Sequence, residues 1–199
     1  MRAKIAESDQ FTVEEYLAMT AERPEGERWE LIEGVALMSP SPSTWHQVIA
    51  VNIGTELSNW KLTHSVAWVP LLGTGTRVPI SPRSLPQPDV MVLPVLPGGP
   101  PNPVSEEALV LFEVLSKSNT KADQAWRRRV YASVIGCEHY VTVEHNRVEV
   151  IRYDRANGWK ASPPLGEDDQ LTLPALGGFS TPVASLYRWT PIAKATKGA

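Results

Sequence analysis

The chain has 199 residues and a formal net charge of −3 at pH 7, and 42% of its residues are hydrophobic. A chain of this length can bury a core without disulfides, and its single cysteine excludes an intrachain disulfide and a cysteine-rich zinc site. The negative net charge argues against a strong non-specific nucleic-acid binder, although it does not exclude a local basic patch.

The sequence also lacks the signals of membrane insertion and export. No stretch approaches the roughly 20 apolar residues of a membrane span. The N-terminal segment MRAKIAESDQ contains basic residues without the apolar region that a signal peptide needs. We therefore expect no membrane partner and a cytoplasmic, reducing compartment.

Hydrophobic periodicity and turn residues predict alternating helices and strands in the first half of the chain. Thr12 and Glu15 have the spacing of a capping box, which opens a first helix. Glu33-Gly34 joins the two strands of a hairpin, and Thr44 caps a second helix. In chain order the predicted elements are a helix over 12–19, a hairpin over 27–39, a helix over 44–61, and strands over 66–72, 75–80 and 89–93.

The second half contains ALVLFEVLS (108–116), a nearly continuous apolar run typical of a central strand covered on both faces. The Pro- and Gly-rich stretch before it, 94–107, predicts an irregular loop. The predicted elements that follow are a helix over 122–134, capped by Asn119 or Thr120 and closed by Gly136, a hairpin over 139–153, and a loop-rich end with a short strand near 171–174. This order predicts an α/β fold of the α+β type, a mixed sheet flanked by helices.

Two carboxylates fall in segments that otherwise predict buried strands. Asp89 opens one strand, and Glu113 lies mid-strand on the same face as Leu111. An ionised carboxylate taken out of water costs several kcal/mol unless it is paired, hydrogen bonded or bound to a metal. If the two strands are neighbours, both carboxylates converge on one point, which suits Mg²⁺ or Mn²⁺. In the structural alternative, Glu113 pairs with an arginine of the following helix and Asp89 caps a turn.

The helix after Glu113 is locally basic. Its Asp123, Arg127 and Tyr131 recur every four residues and share one face. A cationic patch beside two carboxylates suits a phosphate-bearing partner, whereas a solvated helix face is the simpler explanation of the arginine run alone. The basic residues of this region are Lys117, Lys121, Arg127, Arg128 and Arg129.

Two further candidates come earlier in the chain. Glu30 lies in the first hairpin between Trp29 and Leu31, and His46 lies in the first turn of the second helix. A structural hydrogen bond is the ordinary explanation for a lone histidine there. The other three histidines have no metal-ligand spacing, so we do not expect a zinc site.

Seven segments together match the pattern of a known family: FTVEEYLAM, ERWELIEGVALMSPSPSTWHQ, PQPDVMVL, LVLFEVLSKSNT, the D-x-x-x-R-x-x-x-Y helix, HYVTVEHNRVEVIRY and LTLPALGGFSTPVASLYRW. In their order and spacing these segments resemble the Uma-two type restriction endonuclease family of the PD-(D/E)xK nuclease superfamily. The resemblance runs from about Phe11 to about Trp189. It implies a single restriction-endonuclease-like domain over 1–199, with a core at about 11–155 and a C-terminal extension, 156–199, packed on it. It also implies metal-dependent hydrolysis of phosphodiester bonds in nucleic acid, with DNA as the expected partner.

The resemblance assigns roles to particular residues. Asp89 matches the aspartate of the PD motif and Glu113 the acid of the half-motif, so both would hold Mg²⁺ or Mn²⁺, with the Val114 carbonyl as a further ligand. Glu30 and His46 match positions near the family's site. The reaction implied is metal-assisted attack of water on phosphorus. The candidate nucleic-acid contacts are Lys117, Lys121 and Arg128.

The chain departs from the superfamily pattern at its lysine. Leu115 stands where the superfamily has lysine, and Arg127 stands where the family has it. Arginine stays protonated and cannot act as a general base, but it can clamp a phosphate through two hydrogen bonds and stabilise charge. Lys117 and Lys121 are the substitutes that the sequence offers.

Two functions therefore stay open. The first is a metal-dependent endonuclease. The second is a catalytically impaired nuclease-fold protein that acts as a nucleic-acid-binding, regulatory or homo-oligomeric scaffold protein. Seven tryptophans and the Pro-rich loop lead us to expect a homodimer.

Overall fold

Helices and strands alternate through the residues that the computed structural model describes, which are 3–4, 10–24, 26–39, 41–95 and 104–193. The helices are α1 (Val13–Ala21), α2 (Thr44–Thr63), α3 (Lys121–Tyr131) and α4 (Val183–Leu186). The strands are β1 (Ala3–Lys4), β2 (Arg28–Ile32), β3 (Val35–Ser39), β4 (Trp68–Leu72), β5 (Gly75–Thr76), β6 (Val90–Pro94), β7 (Val104–Ser105), β8 (Val110–Leu115), β9 (His139–Glu144), β10 (Val150–Asp154), β11 (Gln170–Leu173) and β12 (Phe179–Pro182). No described helix combines the length and the apolar character needed to cross a bilayer.

The largest sheet has five strands in the order β10-β9-β8-β6-β4, so β8 lies at its centre. It pairs in parallel with β9 and antiparallel with β6, which makes the sheet mixed, as predicted. Every residue of β8 is buried. The prediction of a covered central strand is therefore confirmed.

The alternation of side chains along β8 divides the core into two layers. Phe112 and Val114 pack in an apolar cluster with α2 and with the C-terminal segment 171–187. Leu111 packs in a second cluster with Val130 and Tyr131 at the end of α3. Because successive side chains of a strand point to opposite faces, Glu113 projects to the same side as Leu111, toward α3.

A smaller sheet of three strands, in the order β1-β3-β2, lies beside α1. The turn between β2 and β3 has Glu33 at φ 48° and Gly34 at φ 80°, the left-handed pair that a tight hairpin turn requires. Leu31 of β2 forms a backbone bridge to Leu85, which ties this hairpin to the segment leading into β6. The predicted hairpin over 27–39 is confirmed, and it borders the start of β6.

The predicted boundaries of three elements are wrong. Ser43, rather than Thr44, caps α2 by accepting a hydrogen bond from the His46 amide, and the helix runs on to Thr63. The strand predicted over 75–80 stops at Thr76, because the chain turns at 78–81 and Pro79 has no amide hydrogen to donate. The helix predicted over 122–134 ends at Tyr131, where tight turns replace it.

The C-terminal segment is more regular than predicted. Besides β11 it contains β12, which pairs with β11, and the short helix α4. Its Leu171, Leu173 and Phe179 are buried in the cluster that α2 also joins, and Asn52 of α2 donates to the Leu186 carbonyl. Of the predicted irregular loop over 94–107, residues 96–103 lie outside the described part of the chain, as do residues 1–2 and 5–9 of the N-terminal segment.

Candidate functional site

A cleft of about 500 Å³ opens beside the central sheet, where β6 begins and β8 ends. The β2 strand and the residues before α2 and α3 form its other walls. It brings together all the candidates named from the sequence except Lys121 and Arg128. The candidates that line it are Glu30, His46, Asp89, Glu113, Val114, Lys117 and Arg127, together with Arg28, Gln87, Asn119 and His145.

The pairing of β6 with β8 sets Asp89 beside Glu113. Val90 is opposite Phe112, and the Asp89 amide donates to the Phe112 carbonyl at 3.0 Å, so the ladder continues to Asp89. Asp89 is 6% exposed and Glu113 is 5% exposed, so both carboxyl groups are almost completely removed from water. The expected adjacency of the two strands is confirmed, and each acid needs the local partners described next.

Asp89 is held by three hydrogen-bonding groups. Its Oδ2 accepts from the Val114 amide at 2.8 Å and lies 3.2 Å from His46 Nε2, and its Oδ1 accepts from Arg28 Nη2 at 2.9 Å. Burial by itself raises the pKa of Asp89, but the hydrogen bond and charge of His46, with the charge of Arg28, hold it below its ordinary value. These contacts therefore favour the ionised form of Asp89.

Glu113 uses one carboxylate oxygen for both of its side-chain hydrogen bonds. Its Oε1 accepts from Arg127 Nη1 at 2.7 Å and from the Tyr131 hydroxyl at 2.7 Å. Burial raises the pKa of Glu113 to about 7, although the positive charge of Arg127 acts in the opposite direction. Neither bond uses Oε2.

Arg127 lies between the two glutamates of the cleft. Its Nη2 donates to both Glu30 oxygens, at 2.9 and 2.8 Å, and its Nε lies 3.4 Å from Asp123 Oδ2. The side chain is 2% exposed. Glu113 thus has the helical arginine partner that the structural alternative describes, within the cleft that also contains Asp89.

Simple periodicities of the sequence bring these residues to the cleft. Asp123, Arg127 and Tyr131 follow the four-residue repeat of α3 and face β8. Arg28 and Glu30 are two residues apart in β2 and share a face of that strand. Sequence reasoning missed Arg28, although its position two residues before Glu30 is a signal that could have found it.

The donor set fits a hard divalent cation. Asp89 and Glu113 bring carboxylate oxygens to the cleft, Val114 with its backbone carbonyl is a further lining residue, and Mg²⁺ prefers oxygen ligands. No group of three or more acidic, histidine or cysteine side chains in the described part of the chain has metal-binding geometry. Mg²⁺ does not require one, because it commonly takes one or two carboxylates and completes its shell with water and phosphate oxygens.

The predicted nucleic-acid contacts fall in three different places. Lys117 is exposed and lines the cleft. Lys121 is exposed in the first turn of α3, outside the lining. Arg128 packs its guanidinium over the Tyr153 ring, 5.2 Å from the ring centroid. All three stay predictions, and Lys117 alone of them borders the carboxylates.

Comparison with solved structures supplies the class of fold. The chain is similar to the crystal structure of a putative nuclease belonging to DUF820 from Anabaena variabilis, with a TM-score of 0.71 and 15% sequence identity. The match covers 90% of this chain and 98% of the other. The mixed sheet with its flanking helices is therefore a fold of the nuclease-like type.

The family follows from the sequence match. The model of the Uma2 family, described as a putative restriction endonuclease, matches residues 13–184. The chain belongs to this family, which confirms the resemblance seen in its motifs. No match was found among curated proteins.

Proposed function

We propose that the protein is a metal-dependent endonuclease that hydrolyses phosphodiester bonds of nucleic acid, with DNA as its substrate. One observation carries the proposal: Asp89 and Glu113 lie side by side on adjacent strands and border one open cleft. The family's description and the nuclease-like fold support the same reaction.

Asp89, Glu113 and the Val114 carbonyl would hold Mg²⁺ or Mn²⁺ in this cleft. When bound, such an ion supplies Lewis acidity, which polarises a phosphoryl oxygen and makes water more acidic. The choice of Mg²⁺ or Mn²⁺ rests on the oxygen-rich donor set.

The protein's own residues fix the two carboxylates before any substrate arrives. His46 and the Val114 amide orient Asp89 through Oδ2. Arg127 and Tyr131 orient Glu113 through Oε1. Preorganised groups of this kind spend no further free energy on reorganisation when charge develops during the reaction.

Two helix starts support a phosphate-bearing substrate. Ser43 and His46 at the start of α2 border the cleft, and so does Asn119, just before α3. The amino ends of helices carry partial positive charge and favour phosphate groups. Lys117 adds a full positive charge at the same wall.

A second candidate function is a catalytically impaired nuclease-fold protein that binds nucleic acid. It is favoured by the pairing of Arg127 with both Glu30 and Glu113, at the position where the resemblance to the family predicts lysine. A single domain over 1–199 and a homodimer also stay proposals. Light scattering of the purified protein tests the dimer.

The experiment that tests the proposal is cleavage of plasmid and linear DNA with Mg²⁺ or Mn²⁺. The expected result is cleavage that EDTA abolishes, that Glu113→Gln loses and that Glu106→Gln retains. Glu106 is a matched control because it is an exposed glutamate outside the cleft lining. Binding without cleavage would favour the second candidate. Cleavage that Glu113→Gln retains would contradict the proposed site.

A further inference from the structure

The hydrogen bonds of Arg127 leave it nothing to offer a substrate. A guanidinium carries five N–H donors. The side chain makes five hydrogen bonds, to Glu113 Oε1, the Tyr131 hydroxyl, both oxygens of Glu30, and Asp123 Oδ2. A phosphate that approached Arg127 would have to displace one of its carboxylate partners, and it would then lie next to the remaining negative charges.

Arg28, in contrast to Arg127, has N–H donors that are still available to a substrate. Its side chain is 27% exposed and lines the same cleft. It donates through Nη2 alone, to Asp89 Oδ1 at 2.9 Å and to the Gln87 carbonyl at 3.3 Å. Its Nη1 and Nε make no hydrogen bond to any residue that the structure describes, so three of its five N–H donors are available.

The position of Arg28 is fixed by the same carboxylate that marks the site. The contact with Asp89 holds the guanidinium next to the two acids, while the contact with Gln87 anchors it to the segment leading into β6. Nη2 stays bound to Asp89 and to the Gln87 carbonyl, while the free Nη1 can donate a charge-assisted hydrogen bond to a phosphate oxygen from this fixed position.

We propose that Arg28 is a catalytic residue that contacts the scissile phosphate directly, and that Arg127 is occupied in holding Glu30 and Glu113. This inference rests on the proposed function, because the phosphate it assigns is that of the nucleic-acid substrate. It moves the phosphate clamp expected at Arg127 to a residue on a different element, β2.

Lys117 is the competing cation at the cleft wall. It is exposed and carries its ammonium on a flexible stem, so it contributes positive charge without the fixed position that Asp89 gives Arg28. Removal of Lys117 should therefore weaken nucleic-acid binding with little change in kcat. Removal of Arg28 should lower kcat as well.

Two readouts on Arg28→Gln, Arg28→Lys and Lys117→Gln test the assignment, with Arg83→Gln as the control. Arg83 is exposed at the turn end of the β2–β3 hairpin, whereas Arg28 begins β2 at the other end. The first readout is the salt dependence of binding to a labelled DNA duplex in Ca²⁺, measured by fluorescence anisotropy. The second is kcat and KM for cleavage in Mn²⁺. Thermal unfolding checks that each variant is folded.

Arg28→Gln should reduce the slope of log K against log salt by about 0.9, the value for one lost phosphate contact. It should lower kcat by about 100-fold, the scale for a lost transition-state donor. Arg28→Lys should keep the slope and lose most of the rate, and Arg83→Gln should match wild type in both.

The outcomes separate this inference from the proposed function. Wild-type cleavage that Arg28→Gln leaves unchanged overturns the role of Arg28 and keeps the nuclease. Absence of wild-type cleavage, with a binding slope that falls in Arg28→Gln, overturns the nuclease and keeps the phosphate contact. A wild type that neither binds nor cleaves DNA overturns both.

Discussion

Arg127 donates a 2.7 Å hydrogen bond from Nη1 to Glu113 Oε1, and both side chains are almost completely buried. The same guanidinium also pairs with Glu30 through Nη2. Since an isolated charge is very costly out of water, each member of this group depends on the others. Stability and the proposed function therefore depend on the same residues of this cleft.

Loss of the Arg127 charge should destabilise the fold. Arg127→Met leaves Glu30 and Glu113 buried without their common partner, and breaking a buried pair in this way costs about 3–5 kcal/mol. We expect a loss of this size in the free energy of unfolding, measured by urea denaturation. Arg129→Met is the control, because Arg129 is exposed on the same helix. Equal effects of the two substitutions would show that the Arg127 network contributes nothing.

The Tyr131 hydroxyl should stabilise the folded protein through its hydrogen bond to Glu113. It donates to Glu113 Oε1 at 2.7 Å and accepts from Arg127 Nη1 at 3.1 Å. Tyr131→Phe keeps the ring and removes both bonds, which should cost about 1–3 kcal/mol because the partners are buried. Urea denaturation measures this loss. Tyr153→Phe is the control, because the half-buried Tyr153 ring packs outside the cleft. A loss in Tyr131→Phe no larger than in Tyr153→Phe would contradict the assignment.

Alkaline pH should destabilise the protein through its buried tyrosines. Burial raises the pKa of Tyr131 and Tyr140 well above the ordinary value of 10.0. Because these folded-state pKa values are raised, the stability they contribute is complete below pH about 10 and is lost as the pH rises above that value.

The check on this pH dependence is a spectrophotometric titration of phenolate absorbance, followed together with circular dichroism. We expect the buried tyrosines to ionise in one cooperative step that coincides with unfolding. Smooth ionisation of all five tyrosines near pH 10, with the fold intact, would contradict their burial.

The C-terminal hairpin should be part of the cooperative core. Phe179 is 2% exposed and packs in the cluster that contains residues of α2 and β8. Phe179→Ala should lower the free energy of unfolding by about 3–5 kcal/mol, the usual range for a buried Phe→Ala cavity. Trp189→Ala is the control, because Trp189 is 75% exposed. A separate early unfolding transition in Phe179→Ala would instead indicate that 156–193 unfolds independently.

Local patterns predicted the framework of the site. The apolar run over 108–116 predicted a central strand, and its alternation placed Glu113 on the face that α3 covers. The four-residue repeat of Asp123, Arg127 and Tyr131 predicted their shared face. These features follow from the period of one element, so a single sequence is sufficient to find them.

Features that depend on distant partners were not predicted. Arg28 and Asp89 are 61 residues apart, and their hydrogen bond exists because the β2–β3 hairpin packs beside the start of β6. β12 has only four residues and ends in Pro182, so its pairing with β11, rather than its own propensity, makes it a strand. The observed cap of α2, Ser43, lies one residue before the predicted Thr44, because serine and threonine are both good cap residues.

The most direct test of the carboxylate site is a calorimetric Mn²⁺ titration of the wild type, Asp89→Asn, Glu113→Gln and the control Glu106→Gln, each with and without a short DNA duplex. Gln at 113 keeps an acceptor oxygen for Arg127 and Tyr131, so the fold should survive. We predict saturable binding in the wild type and the control, lost in both site variants. Binding that persists in both variants, or a wild type that binds no Mn²⁺ even with DNA present, would contradict a metal site at Asp89 and Glu113.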